Sequence, residues 1–143
     1  MKSGYLYIEV SPSHPGLIHL AKSLSKPSTE SRLGDDPCIV YVARFDDIDA
    51  GMMHCHELLK FKLHDLNNRL YRADPLKAIA AIEADNIGHR RIFLHPESDS
   101  LSDLDLEQEI NRIREDRVRQ NRIWQTIGKI AVGLLVAEVV LGL

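Results

Sequence analysis

The chain is poor in the residues that usually announce a site. Two cysteines, Cys38 and Cys55, stand 17 positions apart among 143 residues. That spacing makes neither a zinc motif nor a redox pair, and it leaves two buried thiols in a reducing setting as the expectation. Charge of one sign is also missing. Residues 1–100 carry 12 Lys and Arg against 14 Asp and Glu, so no broad field draws nucleic acid and any such binding needs a local patch. No apolar leader opens the sequence: Lys2 runs directly into a strand-like segment. No internal repeat is visible. A long hydrophobic run is absent until the last 17 residues.

What is present reads as one α+β domain over 1–96, a linker over 97–102 and a long helix over 103–143. Gly4-Tyr5-Leu6-Tyr7-Ile8-Glu9-Val10 alternates as a strand should. The Ser11-Pro12-Ser13-His14-Pro15-Gly16 turn returns the chain as an antiparallel partner near 17–21. Pro27 suits the first position of a short helix near 27–33. Cys38 to Phe45 is a continuous apolar run suited to an interior strand. Asp46-Asp47 can cap a helix over 47–63 whose Met52, Cys55, Leu58, Leu59 and Leu63 mark a buried stripe. Asn67-Asn68 turns the chain, Leu70 to Arg72 reads as a short edge strand, Asp74-Pro75 opens an amphipathic helix, and Ile92 to Leu94 reads as one more strand.

This order of elements, with Gly4-Tyr5-Leu6-Tyr7-Ile8, Ser11-Pro12-Ser13-His14-Pro15-Gly16-Leu17, Asp46-Asp47 and His56, resembles the GIY-YIG nuclease superfamily over about residues 4–85. It is most similar to the branch that opens on Gly-Tyr-x-Tyr and continues through a Pro-x-x-Pro-Gly-Leu turn. The resemblance implies a small antiparallel three-stranded sheet flanked by helices, here followed by the long C-terminal helix. It implies DNA phosphodiester cleavage by tyrosines of the first two strands, an arginine on the first helix and a glutamate holding one divalent cation. Tyr7 takes the first-strand position and His19 the second. The arginine position falls at Glu30, with Arg32 two residues on. The glutamate position, four before His56, falls at Met52, whose thioether is a poor ligand for a hard ion. Asp49, three residues earlier on the same face, is the one carboxylate that could serve.

The expectation is therefore a degenerate nuclease-like domain with no cofactor, binding DNA or a protein partner. The alternative is an active endonuclease using Mg²⁺ or Mn²⁺. Lys22, Lys60, Lys62, Arg69 and Arg72 are the candidate phosphate contacts, set against the plainer view that a basic stretch is a solvated face. Tyr5 and Tyr7 likewise stand against the plainer view of ordinary strand aromatics. His54 and His56 diverge by roughly 200° on a helix and cannot share one ion.

Residues 103–122 are charged, acids first and bases later, which complements a helix dipole. Residues 123–143 are apolar. Residues 127–143 span about 26 Å as a helix, a little under a bilayer core, and starting at Ile123 brings in Trp124 as an interfacial anchor. Lys129 can snorkel, Gly133 and Ala137 suit close helix packing, and Glu138 is costly at depth. Arg117, Arg119 and Arg122 before the run would keep the domain cytoplasmic. The alternative is a helix 103–143 that joins copies or partners in a structural assembly.

Overall fold

The computed structural model describes residues 1–96 and 102–142. Its centre is one antiparallel sheet built from β1 (Gly4–Val10), β2 (Ile18–Ser23), β3 (Cys38–Phe45), β4 (Leu63–Asp65), β5 (Leu70–Tyr71) and β6 (His89–Leu94). The strand order is β4-β5-β2-β1-β3-β6. The sheet thus has six strands where three were expected. Two of the additional strands, β5 and β6, fall where the sequence reads short strands at 70–72 and 92–94; the third, β4, takes Leu63, which the sequence places at the end of a helix. Leu70–Tyr71 pairs on both sides, with β2 and β4, and is not an edge strand.

Three helices pack on one face. α1 (Ile48–Leu59) is capped by the Asp47 carboxylate, which accepts from the Asp49 and Ala50 amides. It ends at Leu59, short of the expected 63. A 3-10 turn, Lys60–Lys62, follows, and Leu63 opens β4 instead of extending the buried stripe. α2 (Pro75–Glu83) has Asp74 as its cap and Pro75 in its first turn. α3 runs from Asp103 to Leu141. Leu6, Ile8, Ile18 and Leu20 of the sheet meet Ile48, Cys55 and Leu59 of α1, Ala78, Ile79 and Ile82 of α2, and Leu106 of α3. A register shift opposite Ile8 and Glu9 lets both Val40 and Tyr41 of β3 enter this core. The expected linker over 97–102 lies, but for Ser102, outside the described residues.

The helix expected at 27–33 does not form; residues 24–37 are an irregular connection from β2 to β3 that must cross β1. Local side chains tie the segment into other contacts: one bond takes a backbone amide within it and the other joins it to β3. The Ser31 hydroxyl accepts from the Ile39 amide at 3.0 Å, and the Asp35 carboxylate accepts from the Arg32 amide at 2.7 Å. Leu33 is exposed, so the segment has no apolar stripe to bury.

Candidate functional site

Strand alternation decides which candidate residues can meet. Leu6 and Ile8 of β1 and Ile18 and Leu20 of β2 face the helices, and Lys22 follows in the same phase. Tyr5, Tyr7 and Glu9, with His19 and Ala21, take the opposite face. Tyr7 lies in register with Ala21 and with the buried Val42. Burial, and after it the charge of Glu9, holds the Tyr7 phenol above its ordinary range. It is a poor base at neutral pH.

On the helix side, a cleft of about 370 Å³ gathers Lys22, Asp49, Met52, Met53, His56, Leu66, Arg69 and Tyr71. Met52 lines this cleft beside Lys22, Asp49 and His56. Lys22 and Asp49 form an ion pair. The Lys22 hydrogen bond, and next its charge, holds the Asp49 carboxyl below the usual range. His56 Nδ1 lies 2.7 Å from the Tyr71 hydroxyl, and burial pushes the Tyr71 phenol up, against the opposing pull of Arg69. Arg69 holds a left-handed backbone, φ 52, in the β4–β5 turn and reaches a second cleft.

That second cleft, about 540 Å³, runs along Glu9, Ser11, His14, His19, Asp36, Asn67 and Arg69. In it His19 Nδ1 lies 2.7 Å from Glu9 Oε2. The cross-strand pair Glu9↔His19 becomes visible only with the β1–β2 register. Arg32 joins neither cleft. It is exposed in the 24–37 connection, and with no helix there its expected placement lapses.

Of the expected basic residues, Lys22 and Arg69 share the helix-side cleft. Lys60, Lys62 and Arg72 lie together just outside it: the Arg72 amide donates to the Lys62 carbonyl at 2.7 Å, and Lys60 pairs with Glu57. Tyr71 was missed by sequence reasoning. Its two-residue strand gave no periodicity, and only pairing with Ile18 turns its ring toward α1. Cys38 and Cys55 are both buried, and burial pushes the Cys55 thiol up to about 12. Among the described residues no three His, Cys, Asp or Glu side chains group as ligands for one ion.

α3 splits into two regimes. Leu106, Ile110 and Ile113 pack on the core. Arg114 donates to the Glu83 carbonyl at 3.3 Å, and Arg117 pairs with Asp85. From Val118 to Gly142 every residue is exposed, including Trp124, Lys129, Gly133, Ala137 and Glu138. The helix is long and apolar enough to cross a membrane. Comparison of the chain with family models, with curated proteins and with solved structures gives no match.

Proposed function

We propose that the chain is a nucleic-acid-binding domain on a divergent GIY-YIG-like scaffold, catalytically silent and anchored to a membrane by its C-terminal helix. One observation carries the silent part: Tyr7 and His19 lie on one face of the sheet, Lys22, Met52 and His56 on the other. Phosphodiester hydrolysis needs its base, its phosphate-holding cation and its charge-neutralising ion around a single phosphorus. Residues separated by the sheet do not supply that.

The donor set points the same way. Mg²⁺ and Mn²⁺ take several hard oxygen ligands. The cleft offers one carboxylate, Asp49, engaged by Lys22, beside a thioether. These residues do not fit the ion that the resemblance implies. They do fit an anion: Lys22, His56 and Arg69 line the cleft, with Lys60, Lys62 and Arg72 nearby, as phosphate contacts require. A nucleic acid supplies many phosphates in a row; a protein partner is the alternative occupant.

The anchor reading is supported by an apolar helix that nothing among the described residues covers, preceded by Arg119 and Arg122, an order that keeps the domain cytoplasmic. The same exposed helix suits a seam between copies, which is the assembly reading. Crosslinking in detergent with and without residues 127–143 separates the two. The function is tested by incubating the full chain with plasmid and Mg²⁺ or Mn²⁺. The expected result is retarded but uncut DNA; nicking that disappears in Tyr7→Phe would overturn the silent reading.

A further inference from the structure

We propose that the 3-10 turn Lys60–Lys62, with Arg72, is a stacking platform for single-stranded nucleic acid. In it Phe61 takes the face of an unpaired base and the flanking cations take the phosphates. The proposal rests on the nucleic-acid reading above and deepens it by naming the strand form.

Phe61 is 92% exposed, while Leu59 before it is buried and Leu63 after it opens β4. The turn therefore anchors both of its ends and swings the ring into solvent. A single exposed apolar residue is ordinary. What sets this ring apart is its company. Lys60 Nζ lies 5.1 Å from the ring centroid, Lys62 is the next residue, and the Arg72 amide bonded to the Lys62 carbonyl holds Arg72 against the turn. The nearby carboxylate Glu57 pairs with Lys60. An aromatic ring set among cations can stack on any base, because every base has a π-face. Duplex DNA hides those faces in its stack, so the ring is useful only to unpaired nucleotides.

A lipid surface also accepts an aromatic ring between lysines. The placement argues against it. The tail leaves the domain beside the C-terminal end of α2, where Arg114 and Arg117 engage Glu83 and Asp85. Arg72 precedes Pro75, the first residue of α2, by three. The platform therefore stands at the other end of α2, about 13 Å of helix away.

The test is fluorescence anisotropy of full-length protein in detergent with labelled oligo-dT and with a duplex of equal length. The expected result is preference for the single strand, with Phe61→Ser and Phe61→Leu weakening it roughly ten- to a hundredfold and Phe61→Trp retaining it. Duplex binding at or above the single strand, untouched by Phe61→Ser, would sink the platform while leaving the nucleic-acid reading standing. Binding of neither form would sink both. Full affinity in Phe61→Leu would replace stacking by mere apolar contact and overturn the proposal. A Phe61→Trp, Trp124→Phe protein in vesicles with brominated acyl chains tests the lipid occupant: quenching of residue 61 before oligonucleotide is added would give the turn to the membrane.

Discussion

His54 Nε2 lies 2.6 Å from Asp85 Oδ2, and the other oxygen of the same carboxylate pairs with Arg117. One acid just past the end of α2 thus ties α1 to α3 at the point where α3 leaves the domain. Asp85 is the least exposed of the three side chains, at 13%. Asp85→Ala removes a shared acceptor of charge-assisted bonds and should cost about 1–3 kcal/mol. Hydrogen exchange across Arg112–Arg122 should rise with it. A variant with unchanged exchange there would mean that Leu106, Ile110 and Ile113 hold α3 unaided.

Gly51 poses a contest between two magnitudes. In a helix, Gly→Ala is worth about 1 kcal/mol in its favour. A Cβ at Gly51, however, would sit 2.3 Å from Phe45 Cδ1. Phe45 is fully buried and stacked on His89 at 5.2 Å, so it cannot retreat cheaply. Overpacking of this kind costs about 1–3 kcal/mol. Gly51→Ala should therefore lower thermal stability, and Phe45→Leu in the same chain should recover part of the loss. A higher melting temperature for the single variant would show that the ring yields.

Much of the scaffold is legible in the order of residues. The strands over 4–10 and 38–45 follow from alternation and from an unbroken apolar run. The caps at Asp47 and Asp74 announce α1 and α2, and the acid-to-base gradient announces α3. What sequence hides is set by tertiary pairing. Leu63–Asp65 is too short for a period and exists because Leu70–Tyr71, itself paired to β2, offers it a partner. The helix expected over 27–33 gives way to an irregular connection in which Asp35 takes the Arg32 amide and Ser31 is tied to Ile39 of β3. For the site, residue types gave the basic cluster but not the face: the register that separates Tyr7 from Lys22 is a property of β1 against β2, not of either segment.

Within the helix-side cleft, Asp49 is the one acid among the cations and offsets Lys22. Asp49→Asn should free the lysine and tighten nucleic-acid binding about two- to fivefold at 0.1 M salt, with a steeper salt dependence. Lys22→Ala should move both in the opposite direction. Weaker binding in Asp49→Asn would mean that the pair serves to hold β2 against α1 and not to tune the cleft.

The burial of His89 should make the domain acid-sensitive. Burial holds its ring below the ordinary 6.5, with Glu83 pulling the other way, and its Nδ1 has no hydrogen-bond partner among the described residues. The unfolded chain takes up the proton near pH 6.5 while the folded one resists it. Stability is therefore full above that pH and falls as pH drops below it, by at most about 1.4 kcal/mol per unit. His89→Phe keeps a ring against Phe45 and removes the titration. Its melting temperature should change less than that of the parent between pH 7.5 and 5.5, and parallel curves would assign the acid sensitivity elsewhere.

The tail gives the sharpest localisation test. Glu138 sits on a helix whose neighbours Leu134, Val139 and Leu141 are all exposed and apolar. A carboxylate at depth costs about 2.5–3.5 kcal/mol on insertion scales, and less near a helix end. If lipid covers this segment, Glu138→Leu should raise the fraction of chain resisting carbonate extraction, and removing residues 127–143 should release the domain to the supernatant. If a second helix covers it, Glu138→Leu should instead change crosslinked dimer yield and leave extraction alone. Because the two outcomes move different measurements, one pair of variants decides what the exposed helix is built to meet.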